Sequence, residues 1–122
     1  MGYLVQTLMV NQLVELVKEL KNASKKNAAP IWSKIAENAL KSNSNKRTIN
    51  LKKIDALTNN GNAVIVSGKV LGTGKLSHKI IVSSFSISSS AAKKIKESGG
   101  EILKFSDMII RFPTGKDVKI IG

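Results

Sequence analysis

The chain has 122 residues, 42% of them hydrophobic and only 4% aromatic, and its 20 lysines and arginines against 8 aspartates and glutamates give a net charge of +12. That length holds one core, with or without an appended helical arm, and the hydrophobic fraction excludes a globally disordered chain. With no cysteine and a single histidine, His78, disulfide scaffolds, thiolate zinc sites and cysteine nucleophiles are excluded, and any metal would have at most one imidazole ligand.

Asn11 is placed to cap a helix in which Leu13, Leu16, Val17 and Leu20 recur at helical spacing, opposite Glu15, Lys18, Glu19 and Lys21. Asn22 to Asn27 reads as a polar, basic break. Pro30 suits the first position of a second helix, with Ile31, Ile35 and Ala39 as its buried stripe and Trp32 and Leu40 as further candidates. Lys41 to Asn50, KSNSNKRTIN, has no periodicity and too little apolar surface to order itself. It reads as a loop that becomes ordered on an anionic partner, or as a plain linker.

A short helix over Leu51 to Leu57 puts Leu51, Ile54 and Leu57 on one face. Asn60-Gly61 signals a turn, and Ala63 to Val66 a short β-branched strand. Gly68 to Lys79 is a glycine-rich basic stretch, after which Ile80 to Val82 resumes a strand that heads towards Phe85. Ser88 to Ser98 reads as a serine-capped helix with Ala91, Ala92 and Ile95 facing inward, ended by Gly99-Gly100. Glu101 to Leu103 is a predicted strand, Ser106 to Phe112 a short helix, Pro113 to Gly115 a turn and Val118 to Ile121 a closing strand. The fold class is α/β. Residues 1–50 form a helical arm with a basic loop, and residues 51–122 a domain of alternating strands and short helices.

The charge is concentrated. Residues 1–40 carry a net +2 and residues 80–122 a net +3, whereas residues 41–79 hold eight basic side chains and the single acid Asp55, a net +7. A surface that serves only solubility interleaves acids with bases. An unbalanced segment of this kind suits a polyanion, because each phosphate neutralised releases condensed counterions. The candidate contacts are Lys41, Lys46, Arg47, Lys52, Lys53, Lys69, Lys75, His78 and Lys79, together with Gly68, Gly72 and Gly74, whose bare backbone would let a tight basic turn approach a partner closely.

Catalytic readings find less support. Five residues separate Gly68 from Gly74, and Lys75 is followed by Leu76, so the spacing of a phosphate-cradling nucleotide loop is missing. Ser77 stands where a dinucleotide fingerprint needs glycine. No acid stands next to His78 in sequence to orient it as a general base, and the serines between Ser83 and Ser90 lack a nucleophile-elbow setting. A small hydrolase would need Ser83, His78 and Asp55 brought together. Five aromatic residues, most at core positions, offer little for base stacking. The expected binding mode is therefore backbone contact by lysines and main chain, on folded RNA or on a duplex, with general DNA or chromatin binding as a rival and with no cofactor and no small-molecule substrate. No apolar run approaches the ~20 residues of a membrane span, and residues 1–10 lack the basic start and small-residue cleavage site of a secretory signal. An intracellular protein is expected.

Gly68-Lys69-Val70-Leu71-Gly72-Thr73-Gly74-Lys75-Leu76, followed by Phe85-Ser86, Ala92, Lys94-Ile95 and Gly99-Gly100, resembles the signature of a large-subunit ribosomal protein family. Its members are the archaeal and eukaryotic ribosomal protein eighteen and the bacterial ribosomal protein fifteen. Asn11, Leu16, Leu20, Trp32, Ile35 and Asn50-Leu51 are similar to the archaeal–eukaryotic branch. The chain departs from that pattern at Ser42 to Asn45, where a proline and more arginine are expected. The resemblance implies a non-enzymatic protein with an irregular β-β-α superhelical domain. It also implies binding to large-subunit ribosomal RNA beside neighbouring ribosomal proteins, in the cytoplasmic ribosome, with the basic loop and the Gly68–Lys79 stretch facing RNA.

Overall fold

The computed structural model describes residues 10–40 and 47–121. Its central element is a strand, β2, running from Asn62 to Leu71. The β-branched run expected at Ala63 to Val66 continues through Gly68 and Lys69, so these two lie in a strand and not in a turn. Alternation along β2 sends Val64, Val66 and Val70 into one apolar cluster and Ala63 and Ile65 into another. The sheet is therefore covered on both faces, as a parallel sheet must be. Every pairing is parallel: β3 (Ile80–Ile87) lies along one side of β2, and the two-residue β4 (Glu101–Ile102) lies outside β3. The other side of β2 is shared by β1 (Thr48–Asn50), near its end, and β5 (Val118–Ile121), near its start. A bulge between Val66 and Lys69 shifts the β2–β3 register.

One face of the sheet carries α1 (Val10–Asn27), α2 (Pro30–Leu40) and α5 (Phe105–Arg111). Leu20, Trp32, Ile35, Ala36 and Met108 are completely buried there against Ala63, Ile65 and Phe85. The Trp32 indole N–H donates to the Pro113 carbonyl at 2.8 Å, which satisfies the one polar atom of the largest core side chain. The packing thus runs across the expected boundary between residues 50 and 51, since α1 and α2 share a core with the strands and β1 pairs with β2.

The expected break at Asn22 to Asn27 does not occur. Helix α1 continues to Asn27 because Ala23 keeps the buried stripe in phase after Leu20, and polar neighbours on the solvent side cost the helix little. It ends instead at Ala28, whose φ of 50° is left-handed, and the Ala29 N–H returns to the Ser24 carbonyl at 2.9 Å to close the C-cap. Asn11 is the second residue of α1 and so does not cap it.

The other face carries α3 (Leu51–Leu57) and α4 (Ser89–Glu97), which bury Leu51, Ile54, Ala91 and Ile95 against Val64, Val66, Ile80 and Val82. Asn50 caps α3, accepting from the Lys53 N–H, and Ser88 caps α4, accepting from the Ala91 N–H. Gly99, at φ 87°, takes the left-handed position after α4, as the sequence predicts.

The connection from β2 to β3 positions the site. The chain leaves β2 at Leu71 and re-enters the sheet at Ile80, the register partner of Asn62 at the opposite end of β2. That return covers about 30 Å at ~3.3 Å per strand residue. Residues 72–79 make that return without a crossover helix, bending at Gly74 and His78. The tight turn expected from the glycines is instead a crossover that runs from one end of β2 back to the other.

Candidate nucleic-acid interface

The crossover is fastened to α3 and α4 by its backbone. From α3, the Lys52 N–H donates to the Thr73 carbonyl at 3.1 Å, and Asp55 accepts from both the N–H and the hydroxyl of Ser77, at 2.8 and 2.7 Å. From α4, the Lys94 ammonium donates to the carbonyls of Gly72 and Gly74, at 2.6 and 2.9 Å. Leu76 inserts part of its side chain into the apolar cluster beneath.

The glycines make these contacts possible. A Cβ on Gly72 would stand 2.1 Å from the Ser90 hydroxyl and 2.9 Å from the Ala91 nitrogen. One on Gly74, at φ 97°, would meet Lys52 Cβ at 2.6 Å, and one on Gly68 would meet the Arg47 carbonyl oxygen at 2.6 Å. At all three positions the close approach is to the protein's own backbone or side chains.

His78 also has a different setting from the one expected. Its Nδ1 lies 3.3 Å from the Asp55 carboxylate and its Nε2 lies 2.7 Å from the Thr58 hydroxyl, which itself reaches the Ile54 carbonyl at 2.7 Å. An acid distant in sequence is brought to the imidazole by α3. The two bonds from Ser77, backbone first, hold the Asp55 carboxyl below its ordinary pKa, with His78 adding a smaller contribution. The hydrolase constellation does not form, because Ser83 is buried in β3 and donates to the Leu103 carbonyl at 2.7 Å. The Asp55–Ser77–His78–Thr58 cluster pins the crossover to α3.

Around this frame the structure gathers lysines. Lys52 and Lys53 on α3, Lys75 and Lys79 on the crossover, and Lys93, Lys94 and Lys96 on α4 are all exposed. On these three segments the opposing acids are Asp55, which is engaged with Ser77 and His78, and Glu97. Lys75, Leu76, Lys94, Glu97 and Ser98 line an open depression of about 310 Å³ between crossover and α4. Arg47 and Lys69 stand elsewhere, at the β1–β2 pairing, where the Lys69 N–H donates to the Arg47 carbonyl at 2.8 Å. Lys41 and Lys46 lie outside the described residues.

The three α4 lysines are absent from the candidate contacts read from the sequence. Their signal was present as Lys93-Lys94 and Lys96 flanking the buried Ile95, but only the crossover's course puts Lys94 beside Lys75. Among the described residues, no group of three histidines or carboxylates could hold a metal, and no helix is long and apolar enough to cross a membrane.

The chain matches the family model described as ribosomal protein 60S L18 and 50S L18e over residues 5–122. It belongs to that family. Similar relatives are named large ribosomal subunit protein eL18. The one from Pyrobaculum aerophilum is 36% identical over 111 residues, 91% of each chain. That of Methanococcus maripaludis is 36% identical over 108 residues, covering 88% of this chain and 90% of the relative. That of Archaeoglobus fulgidus is 35% identical over 109 residues, covering 89% and 93%. The L18 match spans α1 and α2 as well as the sheet, in keeping with the core these parts share.

Proposed function

We propose that this protein is a structural constituent of the large ribosomal subunit, in the cytoplasmic ribosome, and that it binds folded ribosomal RNA through the face made by α3, the crossover and α4. Family membership carries the first half: the L18 relatives are large-subunit proteins and not enzymes. One observation carries the second. Three segments distant in sequence present Lys52, Lys53, Lys75, Lys79, Lys93, Lys94 and Lys96 on one side of the sheet, with one of two acids engaged internally. Such a field neutralises phosphates whatever the base sequence, and a rigid, backbone-fastened crossover holds the ammonium groups at fixed spacing, which favours a folded RNA over a flexible strand. Lysines so placed screen the repulsion between packed RNA helices. Arg47 and Lys69, with Lys41 and Lys46 on the adjoining segment, extend the same contact in this reading, and His78 serves it by holding the crossover.

The reading predicts steep salt dependence. If about six lysines contact phosphates, the log–log slope of affinity against salt is around −5. Replacing Lys52, Lys53, Lys75 and Lys79 together with alanine reduces that slope by about 3 to 4 and weakens binding evenly across RNA sequences. The same number of replacements on α1 and α2, at Lys18, Lys21, Lys25 and Lys34, leaves it nearly unchanged. Equal losses from both sets would show that net charge, and not this face, binds RNA. Duplex DNA competing as well as ribosomal RNA would favour the general DNA-binding alternative.

A further inference from the structure

Across the sheet from the lysine face, the last turns of α1 and the helix α5 enclose a groove of about 490 Å³. Its floor is Ala23, Ile109, Ile110 and Pro113, and Lys25 and Lys26 border it. Ile110 is 77% exposed, the highest value for any large apolar side chain among the described residues. Its neighbours on α5 follow the amphipathic pattern, with Phe105 and Met108 buried and Ile109 partly so, and Ile110 breaks that pattern by standing in solvent. Ile110 thus adds an exposed branched side chain to an apolar concavity that Lys25 and Lys26 also line.

We infer that this groove seats a segment of a neighbouring protein, one that carries a bulky apolar side chain flanked by carboxylates. The inference rests on the reading of this chain as a constituent of the large subunit. Two features select protein over RNA. The floor is aliphatic, with no aromatic ring or guanidinium plane on which an unstacked base could lie. A phosphate backbone would pair with the two lysines but would leave the apolar floor uncovered. An apolar anchor with adjacent acidic groups fills the floor and meets the ammonium groups at its rim, the arrangement that gives an interface both buried area and electrostatic fit.

The test uses the full chain inside assembled particles. A photo-reactive amino acid is placed at Asn22, an exposed position on the groove's edge, and large subunits carrying the variant are purified by sedimentation, irradiated and analysed by sequencing the cross-linked peptides. The expected product is a cross-link to one protein neighbour, at a segment with aspartate or glutamate beside a large apolar residue. Introducing Ile110→Asp, or Lys25→Glu together with Lys26→Glu, reduces its yield tenfold or more while the chain still sediments with the subunit. A cross-link to RNA, to a basic segment or to another part of this chain overturns the inference, as does the absence of any cross-link. A wild-type chain that fails to sediment with the subunit overturns the functional reading first, which keeps the two failures distinguishable.

Discussion

The two layers that cover the sheet are held by different forces. On the α1, α2 and α5 side, Leu20, Trp32, Ile35, Ala36 and Met108 are wholly withdrawn from water, and the layer depends on burial of apolar area. On the other side, α3 and α4 are anchored by Leu51, Ile54, Ala91 and Ile95, but the crossover above them adds only one apolar side chain to that cluster, the partly buried Leu76. It is fixed by hydrogen bonds donated by Lys52 and Lys94 and accepted by Asp55, and by glycines that let backbones touch. A surface made largely of lysine and glycine has little apolar side chain to bury, so its geometry must come from polar bonds and steric fit. The first layer should respond to volume, the second to charge state and to single added methyl groups.

The largest effect is expected in the apolar layer. Trp32→Ala removes the largest buried side chain and leaves the Pro113 carbonyl without its donor, costing about 3–5 kcal/mol. Urea denaturation measures the loss, and in conditions where the variant remains folded its salt slope for RNA should match that of the wild type. A changed slope would mean that this layer also touches RNA.

Gly74→Ala should cost less, about 1–3 kcal/mol, because the added methyl meets Lys52 at a backbone angle that only glycine adopts easily. Amide exchange should localise the damage to residues 72–79. Unchanged stability together with weaker RNA binding would instead place the RNA backbone against this glycine.

Asp55 sets a pH dependence. Its carboxyl is held below the ordinary value by the Ser77 bonds, so the stability it contributes is complete above the unfolded pKa of about 3.9. That contribution is lost as pH falls through the lower, folded value. The urea midpoint of the wild type should therefore decline in that acid range, and Asp55→Asn should remove this part of the decline. Protection of the Ser77 amide at neutral pH should fall in the same variant, and full protection would show that the cluster does not hold the crossover.

The smallest effect lies in the connection within the apolar layer. Ala28 sits in the left-handed region, which costs a non-glycine residue about 1 kcal/mol. Ala28→Gly should recover part of this, raising stability by roughly 0.5 kcal/mol after the added freedom of the unfolded chain is counted. A decrease would mean that the Ala28 methyl makes a contact worth more than the strain.

Much of the fold was legible in local signals. Ser88 and Gly99 mark the ends of α4, Pro30 starts α2, and Ile31, Ile35 and Ala39 trace its inward side. The misreadings share a cause. At Asn22 to Asn27, polar residues on a helix's wet side look the same as a loop until the packing of Ala23 is known. At Gly68 to Lys79, glycines that serve a long, closely fitted crossover look the same as glycines that serve a tight turn. His78 appeared unpartnered because Asp55 is far away along the chain.

By itself the sequence determined the composition of the core, the positions of most strands and helices, the cationic surplus and the family, because these follow from residue type and short-range spacing. Tertiary structure alone decided that the crossover returns along the sheet, that Asp55 meets His78 and that Lys94 spans Gly72 and Gly74. It also decided that lysines from three segments share one side of the sheet. Each of these depends on the parallel register of β2 with β3, which fixes how far the chain must travel and what it passes on the way.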